Sequence, residues 1–152
     1  MDFDKELEPD IIGDVRSFSN CIEKESYDIV LCCQVLEHIP RNEFVSALEQ
    51  IESILNKEGT FVLSLPQRVA QFQIRVDIPK IHFKINKSIA KFKNTNFQFD
   101  GEHYWEVETK GCRKKEILKE IAELFTIEHS YIVFENVYHW FVISKKKTEK
   151  SL

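Results

Sequence analysis

The sequence predicts an α/β fold, a partial sheet that ends in an antiparallel C-terminal strand hairpin, and three observations carry that prediction. Residues 27–35 place Ile29, Val30, Leu31, Cys32, Cys33 and Val35 in one nearly continuous apolar run. Such continuity belongs to a parallel strand buried on both faces, not to a half-exposed antiparallel one. The next stretch, RNEFVSALEQIESILNKEG, spaces Phe44, Leu48, Ile51 and Leu55 along one helical stripe and runs directly into the apolar segment TFVLSLP. Strand, helix and strand with short connections make a βαβ unit, whose crossover is right-handed. Finally RKKEILKEIAELF, residues 113–125, carries Ile117, Leu118, Ile121, Leu124 and Phe125 on one face, and TIEHSYIVFE and YHWFVISK follow it as strands.

Each element has its local reason. DIIGDV, residues 10–15, is a short β-branched run and reads as a strand. In the first helix Asn42 supplies an N-cap and Gly59 stands where a C-terminal cap is expected. Pro66 ends the strand that follows. Residues 67–99 read as an irregular, basic insertion interleaved with Phe72, Phe83, Phe92, Phe97 and Phe99, aromatics expected to pack on the sheet. The last two strands are separated by Asn136-Val137, close enough for an antiparallel hairpin. The expected organisation is one partial domain over 1–144, with a variable insertion at 68–112 and a frayed basic tail at 145–152.

Composition narrows the function. At 152 residues and 43% apolar, the chain buries a core of one-domain size. A net charge of -4 argues against a protein that coats nucleic acid, although charge is segregated. Residues 1–28 hold nine Asp/Glu against three Lys/Arg, whereas residues 68–99 hold seven Lys/Arg against Asp77 alone. The four cysteines form no CxxC pair and no Cys/His cluster at zinc-finger spacing, so no metal site is expected and a reducing compartment is. The acidic N-terminus is unlike a signal peptide, and no apolar run reaches the roughly 18 residues of a membrane span. A cytoplasmic protein without a membrane partner is expected.

DIIGDVRSF, YDIVLCCQVLEHI and LNKEGTFVLSLP, taken in order and at their spacing, resemble the middle and later motifs of class I S-adenosylmethionine-dependent methyltransferases. That resemblance implies a Rossmann-like methyltransferase sheet whose last strand is antiparallel. It also implies S-adenosylmethionine as cofactor and methyl transfer to an unidentified acceptor. FDGEHYWEV, residues 99–107, with the later YHWF, resembles a subset of these enzymes. By resemblance Asp2 is placed to accept from the ribose hydroxyls, and Asp14 from the adenine amine with the Val15 amide on the ring. Cys33 and Gln34 then lie along the methionine portion. The family's first strand and GxGxG loop have no counterpart: Gly13, Gly59, Gly101 and Gly111 are the only glycines and none are close neighbours. The chain therefore reads as an N-terminally incomplete domain with impaired cofactor binding, its LCCQ strand left with an open edge that a protein partner could complete.

Catalytic residues are open at this level. Methyl transfer from a sulfonium is an in-line displacement in which positioning supplies much of the rate and a base serves only a protonated acceptor. His38, at the strand exit, is either that base or a solvated cap. His103 and Glu106, with Trp105 between them, either orient and deprotonate an acceptor or belong to an aromatic lid. As a strand, alternation would send His103 and Trp105 to one face and Tyr104 and Glu106 to the other. Cys32 and Cys33 read as small core residues rather than nucleophiles. The competing readings are a non-catalytic interaction module on a degenerate methyltransferase fold and a nucleotide-binding dehydrogenase, which also requires a glycine-rich loop.

Overall fold

The structure, a computed structural model, describes residues 1–17, 22–67, 70–89, 96–134 and 138–147. Eight regular elements are β1 (Tyr27–Cys33), α1 (Phe44–Ile54), β2 (Leu55–Pro66), β3 (Ala70–Ile78), β4 (Ile81–Ile89), α2 (Lys114–Leu124), β5 (Phe125–Phe134) and β6 (Tyr138–Lys146). A four-stranded sheet has the order β1-β2-β6-β5, and β3 and β4 form a separate two-stranded ribbon. β1 and β2 are parallel, whereas β6 runs antiparallel to both β2 and β5. The α/β fold, the βαβ unit and the antiparallel hairpin are as expected. The hairpin's turn, including Asn136-Val137, lies outside the described residues.

The core lies where the apolar stripes meet one sheet face. Phe44, Leu48 and Ile51 of α1 and Ile117 and Ile121 of α2 are buried with Cys32, Phe61, Leu63, Trp140 and Val142. The Phe61 and Phe125 rings, both fully buried, lie 5.0 Å apart and tilted by 35°. The other face is not covered to the same degree. Ile29 and Leu31 are 60% and 69% exposed, and Tyr131 stacks on Phe141 while itself 45% exposed. β1 is thus buried on one face, not two, because it is an edge strand whose second face has no helix against it among the described residues. Among the described residues β1 has no strand paired along its other edge.

Several local expectations change. α1 is preceded by a 3-10 turn, Arg41–Glu43, so Glu43 and not Asn42 stands at its N-cap, and no side chain caps it. The helix ends at Ile54, because Leu55 already has extended dihedrals and begins β2. Gly59 therefore caps nothing. It sits where β2 bulges between the pairs Tyr27↔Leu55 and Ile29↔Thr60, and a Cβ there would meet the Asn56 carbonyl at 2.9 Å. Phe125 belongs to β5, not to α2, whose first turn is closed by the Glu116 carboxylate accepting from the Arg113 backbone N–H at 3.1 Å.

DIIGDV forms no strand. One parallel bridge, Asp2↔Ile12, is all that pairs there, since the β-branched run has no longer partner among the described residues. The insertion is not irregular either: β3 and β4 pair from Ala70↔Ile89 to Ile78↔Ile81 around Pro79-Lys80, with Lys80 at φ 74°. The signal is alternation within each strand, Ile74, Val76 and Ile78 in the first and Ile81, Phe83 and Ile85 in the second. Phe83 and Phe99 remain 45% and 56% exposed rather than packed on the sheet, and Phe92 lies outside the described residues. The basic tail is ordered at its start, for Lys145 and Lys146 extend β6 and the Lys146 ammonium reaches Glu52 at 3.1 Å and the Leu55 carbonyl at 3.0 Å. No described helix is long and apolar enough to cross a membrane.

Phe61→Ala removes the centre of this core, and chemical denaturation is expected to show a loss of about 3–5 kcal/mol. A loss under about 1 kcal/mol would mean that the helices do not pack on the sheet as described.

Candidate functional site

The carboxyl end of β1 is where chemistry-bearing side chains collect. At the strand exit Gln34 takes a left-handed φ of 57°, its N–H donating to the Ser64 carbonyl at 3.1 Å and its Nε2 to the Ser64 hydroxyl at 3.0 Å. A non-glycine residue held there stores about 1 kcal/mol, a cost tolerated where the surroundings fix it. Cys32 points into the core, and burial pushes its thiol pKa up to about 12. Cys33 points the other way and is exposed, so only one of the pair is a core residue.

A 3-10 turn, Leu36–His38, follows, and across it lies a strap formed by residues 96–112. Several bonds fasten the strap. The Tyr104 N–H donates to the Glu37 carbonyl at 2.8 Å, the Trp105 indole N–H to the Ile39 carbonyl at 3.1 Å, and the Val107 N–H to the Pro66 carbonyl at 3.0 Å. Trp105 is 2% exposed, meets Phe44 edge-on at 5.4 Å, and has the Arg41 guanidinium over its ring at 5.4 Å. Arg41 in turn holds Glu120 of α2 through Oε1 at 2.8 Å and Oε2 at 2.7 Å. A hollow of about 280 Å³ opens beside the strap, lined by Arg41, Tyr104, Trp105, Thr109 and Cys112 among others.

The strap is not a strand, so the predicted alternation does not apply. His103 and Glu106 face each other, with Nδ1 3.8 Å from Oε1, while Tyr104 turns outward and Trp105 inward. Asp100 accepts the backbone N–H groups of Glu102 at 3.0 Å and His103 at 2.7 Å. Those bonds, the His103 one foremost, hold the Asp100 carboxyl below its ordinary pKa. The His38 and His103 rings lie 4.9 Å apart. The structure thus brings together His38, His103 and Glu106 from segments more than sixty residues apart in sequence.

Glu37 was missed by sequence reasoning, although it is the middle letter of LEH. It is fully buried, with both carboxylate oxygens lacking a hydrogen-bond partner, and burial pushes its pKa up. An acidic residue between Leu36 and His38 at a strand exit was the available signal.

The predicted cofactor residues divide into two groups. The Asp2↔Ile12 bridge, with the Gly13 N–H donating to the Asp2 carbonyl at 3.0 Å, brings the Asp2 and Asp14 segments alongside each other. The Asp2 carboxylate accepts the Asp4 N–H at 2.9 Å. Asp14 accepts Arg16 Nε at 2.8 Å and Nη2 at 2.5 Å, and that guanidinium holds its carboxyl below the usual range. Arg16 also bonds Glu43 at 2.9 Å, which pins this loop near the start of α1, with the buried Val15 beneath it. Cys33 and Gln34 stand at the β1 exit. The Asp14 carboxylate, the residue expected to meet an adenine amine, is engaged by Arg16 in this structure. For the methionine side, the described residues offer no pair of neighbouring glycines.

Residues 5–63 match the family described as a methyltransferase domain. Among curated protein sequences there is no match. Solved structures are similar in fold. PH0226 protein from Pyrococcus horikoshii OT3 superposes at a TM-score of 0.55 and 14% identity, over 94% of this chain and 65% of that one. The 1,6-didemethyltoxoflavin-N1-methyltransferase of Burkholderia thailandensis, solved with S-adenosylhomocysteine, gives 0.59 and 15%, over 91% of this chain and 50% of that one. The N-methyltransferase NodS from Bradyrhizobium japonicum WM9, also with S-adenosylhomocysteine, gives 0.53 and 11%, over 91% and 54%. The chain therefore spans about one half to two thirds of the length of these structures. Strand order, antiparallel closing strand and matched motifs agree: the chain has the fold of the class I S-adenosylmethionine-dependent methyltransferases, and its residues 5–63 carry the methyltransferase-domain signature.

Proposed function

We propose that the chain serves S-adenosylmethionine-dependent methyl transfer, with the acceptor held under the strap at the β1 exit and with cofactor binding that is weak in this stretch of sequence. The observation that carries the reading is the convergence at one sheet end of the Asp14 loop, pinned through Arg16 to Glu43, and the His38, His103 and Glu106 group. Ligands of open α/β sheets sit beyond the carboxyl ends of the strands, which is that end.

When bound, S-adenosylmethionine supplies an electrophilic methyl on a sulfonium. Asp14 would accept from the adenine amine, with Val15 on the ring, and Asp2 from the ribose hydroxyls. Cys33 and Gln34 would line the methionine portion. His103, flanked by Asp100 and Glu106 at 3.7 and 3.8 Å, would hold the proton of a protonated acceptor, and Trp105 would exclude water. Weak affinity is the expectation for this stretch of sequence because it holds no glycine-rich turn to cradle the methionine portion.

Amide chemical shifts during a titration with S-adenosylhomocysteine test this. The expected response is confined to Asp2, Asp14, Val15, Arg16, Cys33 and Gln34, with a Kd of about 1 mM, and Asp14→Asn abolishes the shifts around residue 14. Shifts elsewhere, or none at millimolar ligand, would refute the site, and micromolar binding would refute the impairment.

A second reading, a module that docks a partner strand along β1, is favoured by that strand's open edge and by the exposure of Ile29 and Leu31. Under it, sedimentation at rising concentration is expected to show self-association that the pair Ile29→Lys and Leu31→Lys removes, with the melting temperature moved by no more than a few degrees. A wild-type chain that stays monomeric throughout would set the reading aside.

A further inference from the structure

We infer that Glu37, His38 and His103 form a binding site for a divalent transition-metal cation such as Zn²⁺ or Co²⁺, at the junction of the β1 exit and the strap. The inference stands without the methyl-transfer reading, because it rests on the side chains alone. It also departs from the sequence expectation of no metal, which looked for cysteine spacing and not for residues joined by tertiary structure.

The donor set comes first. Two imidazoles and one carboxylate suit first-row divalent cations, and a three-ligand site leaves open positions for water or an acceptor oxygen. One ligand atom from each of Glu37, His38 and His103 lies within 4.8 Å of the others. Metal bonds of about 2.0–2.2 Å place such atoms roughly 3.3 Å apart, so closure needs a contraction that the exposed His38 ring can supply.

The second observation is independent of that proximity. Glu37 has no solvent-exposed surface, and neither of its oxygens has a hydrogen-bond partner; His103 Nδ1 is likewise buried without one. Buried polar atoms are nearly always satisfied, and an unsatisfied carboxylate is costly unless a cation or proton meets it. No lysine or arginine pairs with Glu37 among the described residues. A bound cation would satisfy the orphaned Glu37 carboxylate and favour its ionised form.

The third observation is orientation. His38 Nδ1 lies 3.0 Å from the Glu102 carbonyl oxygen, which can only accept. Nδ1 must therefore carry the proton, and in the neutral ring the lone pair is left on Nε2, the usual arrangement for a ligating histidine. Around His103, Asp100 Oδ2 and Glu106 Oε1 stand 3.7 and 3.8 Å from Nδ1, two further carboxylates on the same ring.

The test uses the folded chain after removal of metal with a chelator, its fold checked by circular dichroism. Co²⁺ titration followed by visible absorption, and Zn²⁺ competition against a chromophoric chelator, are expected to show one equivalent bound with a Kd of about 10 μM or tighter. Zn²⁺ should also raise the melting temperature. Glu37→Gln and His103→Ala are each expected to weaken binding by about tenfold or more and to remove the melting shift. His82→Ala, on the separate β3–β4 ribbon, should leave both unchanged. A folded wild-type chain that binds no Co²⁺, or binding that survives both site variants or is lost in the His82 variant, would overturn the proposal.

Discussion

The burial of Trp105 is the contact on which the candidate site depends. Its indole displaces water above Phe44, its N–H satisfies the Ile39 carbonyl, and Arg41 lies across its ring while gripping Glu120. Burying an indole of this size is worth several kcal/mol, enough to fix the order of the strap around it. Without that anchor the strap would keep the backbone bonds at Tyr104 and Val107 and the His38 contact with the Glu102 carbonyl, but no buried side chain at its centre. His103 and Glu106 reach the β1 exit because they flank the anchored residue in sequence. A packing interaction thus determines an electrostatic one.

Charge is concentrated where the fold is least able to solvate it. Glu37 is buried at the start of the turn, flanked by imidazoles of which one is exposed and one half-buried. Such arrangements are uncommon in a core kept only for stability, since an apolar residue of equal volume would pack there at less cost. The same end of the sheet carries the left-handed Gln34 and the Arg16 pairings with Asp14 and Glu43. The opposite end of β1, by contrast, holds a bulge and the exposed pair Asp28 and Asn56, joined at 2.7 Å. Left-handed residues occur at both ends of β1, Gln34 at its exit and Glu25 and Glu58 near its start, but the buried unpaired carboxylate of Glu37 lies at the exit.

The uncovered sheet face and the open edge of β1 give the chain a second character. Helices pack on one face only among the described residues, and Ile29 and Leu31 present large side chains to water. An edge strand in that state is a template for another strand. The β3–β4 ribbon adds an apolar row, Ile74 to Ile85, that is also partly exposed. These surfaces and the buried Glu37 cluster are separate features, and association along β1 would leave the strap's contacts intact.

Sequence alone determined the elements whose cause is local. Periodicity placed both helices to within a few residues, the apolar run placed β1 and β2, and three ordered motifs pointed to the methyltransferase fold and its strand exits. It failed where a neighbour decides the outcome. Gly59 looked like a helix cap because nothing local reveals that Leu55 is drawn into the sheet by pairing with Tyr27. DIIGDV looked like a strand because propensity says nothing about whether a partner exists. The β3–β4 alternation was legible and was overlooked behind the basic charge. His38, His103 and Glu106 could be nominated by residue type, but their meeting, and the isolation of Glu37 beneath them, required the strap to fold back over the LEH turn. Only tertiary structure decides such meetings, because the energy that brings residues 37 and 103 together comes from burying Trp105, and no local pattern records what that side chain will be buried against.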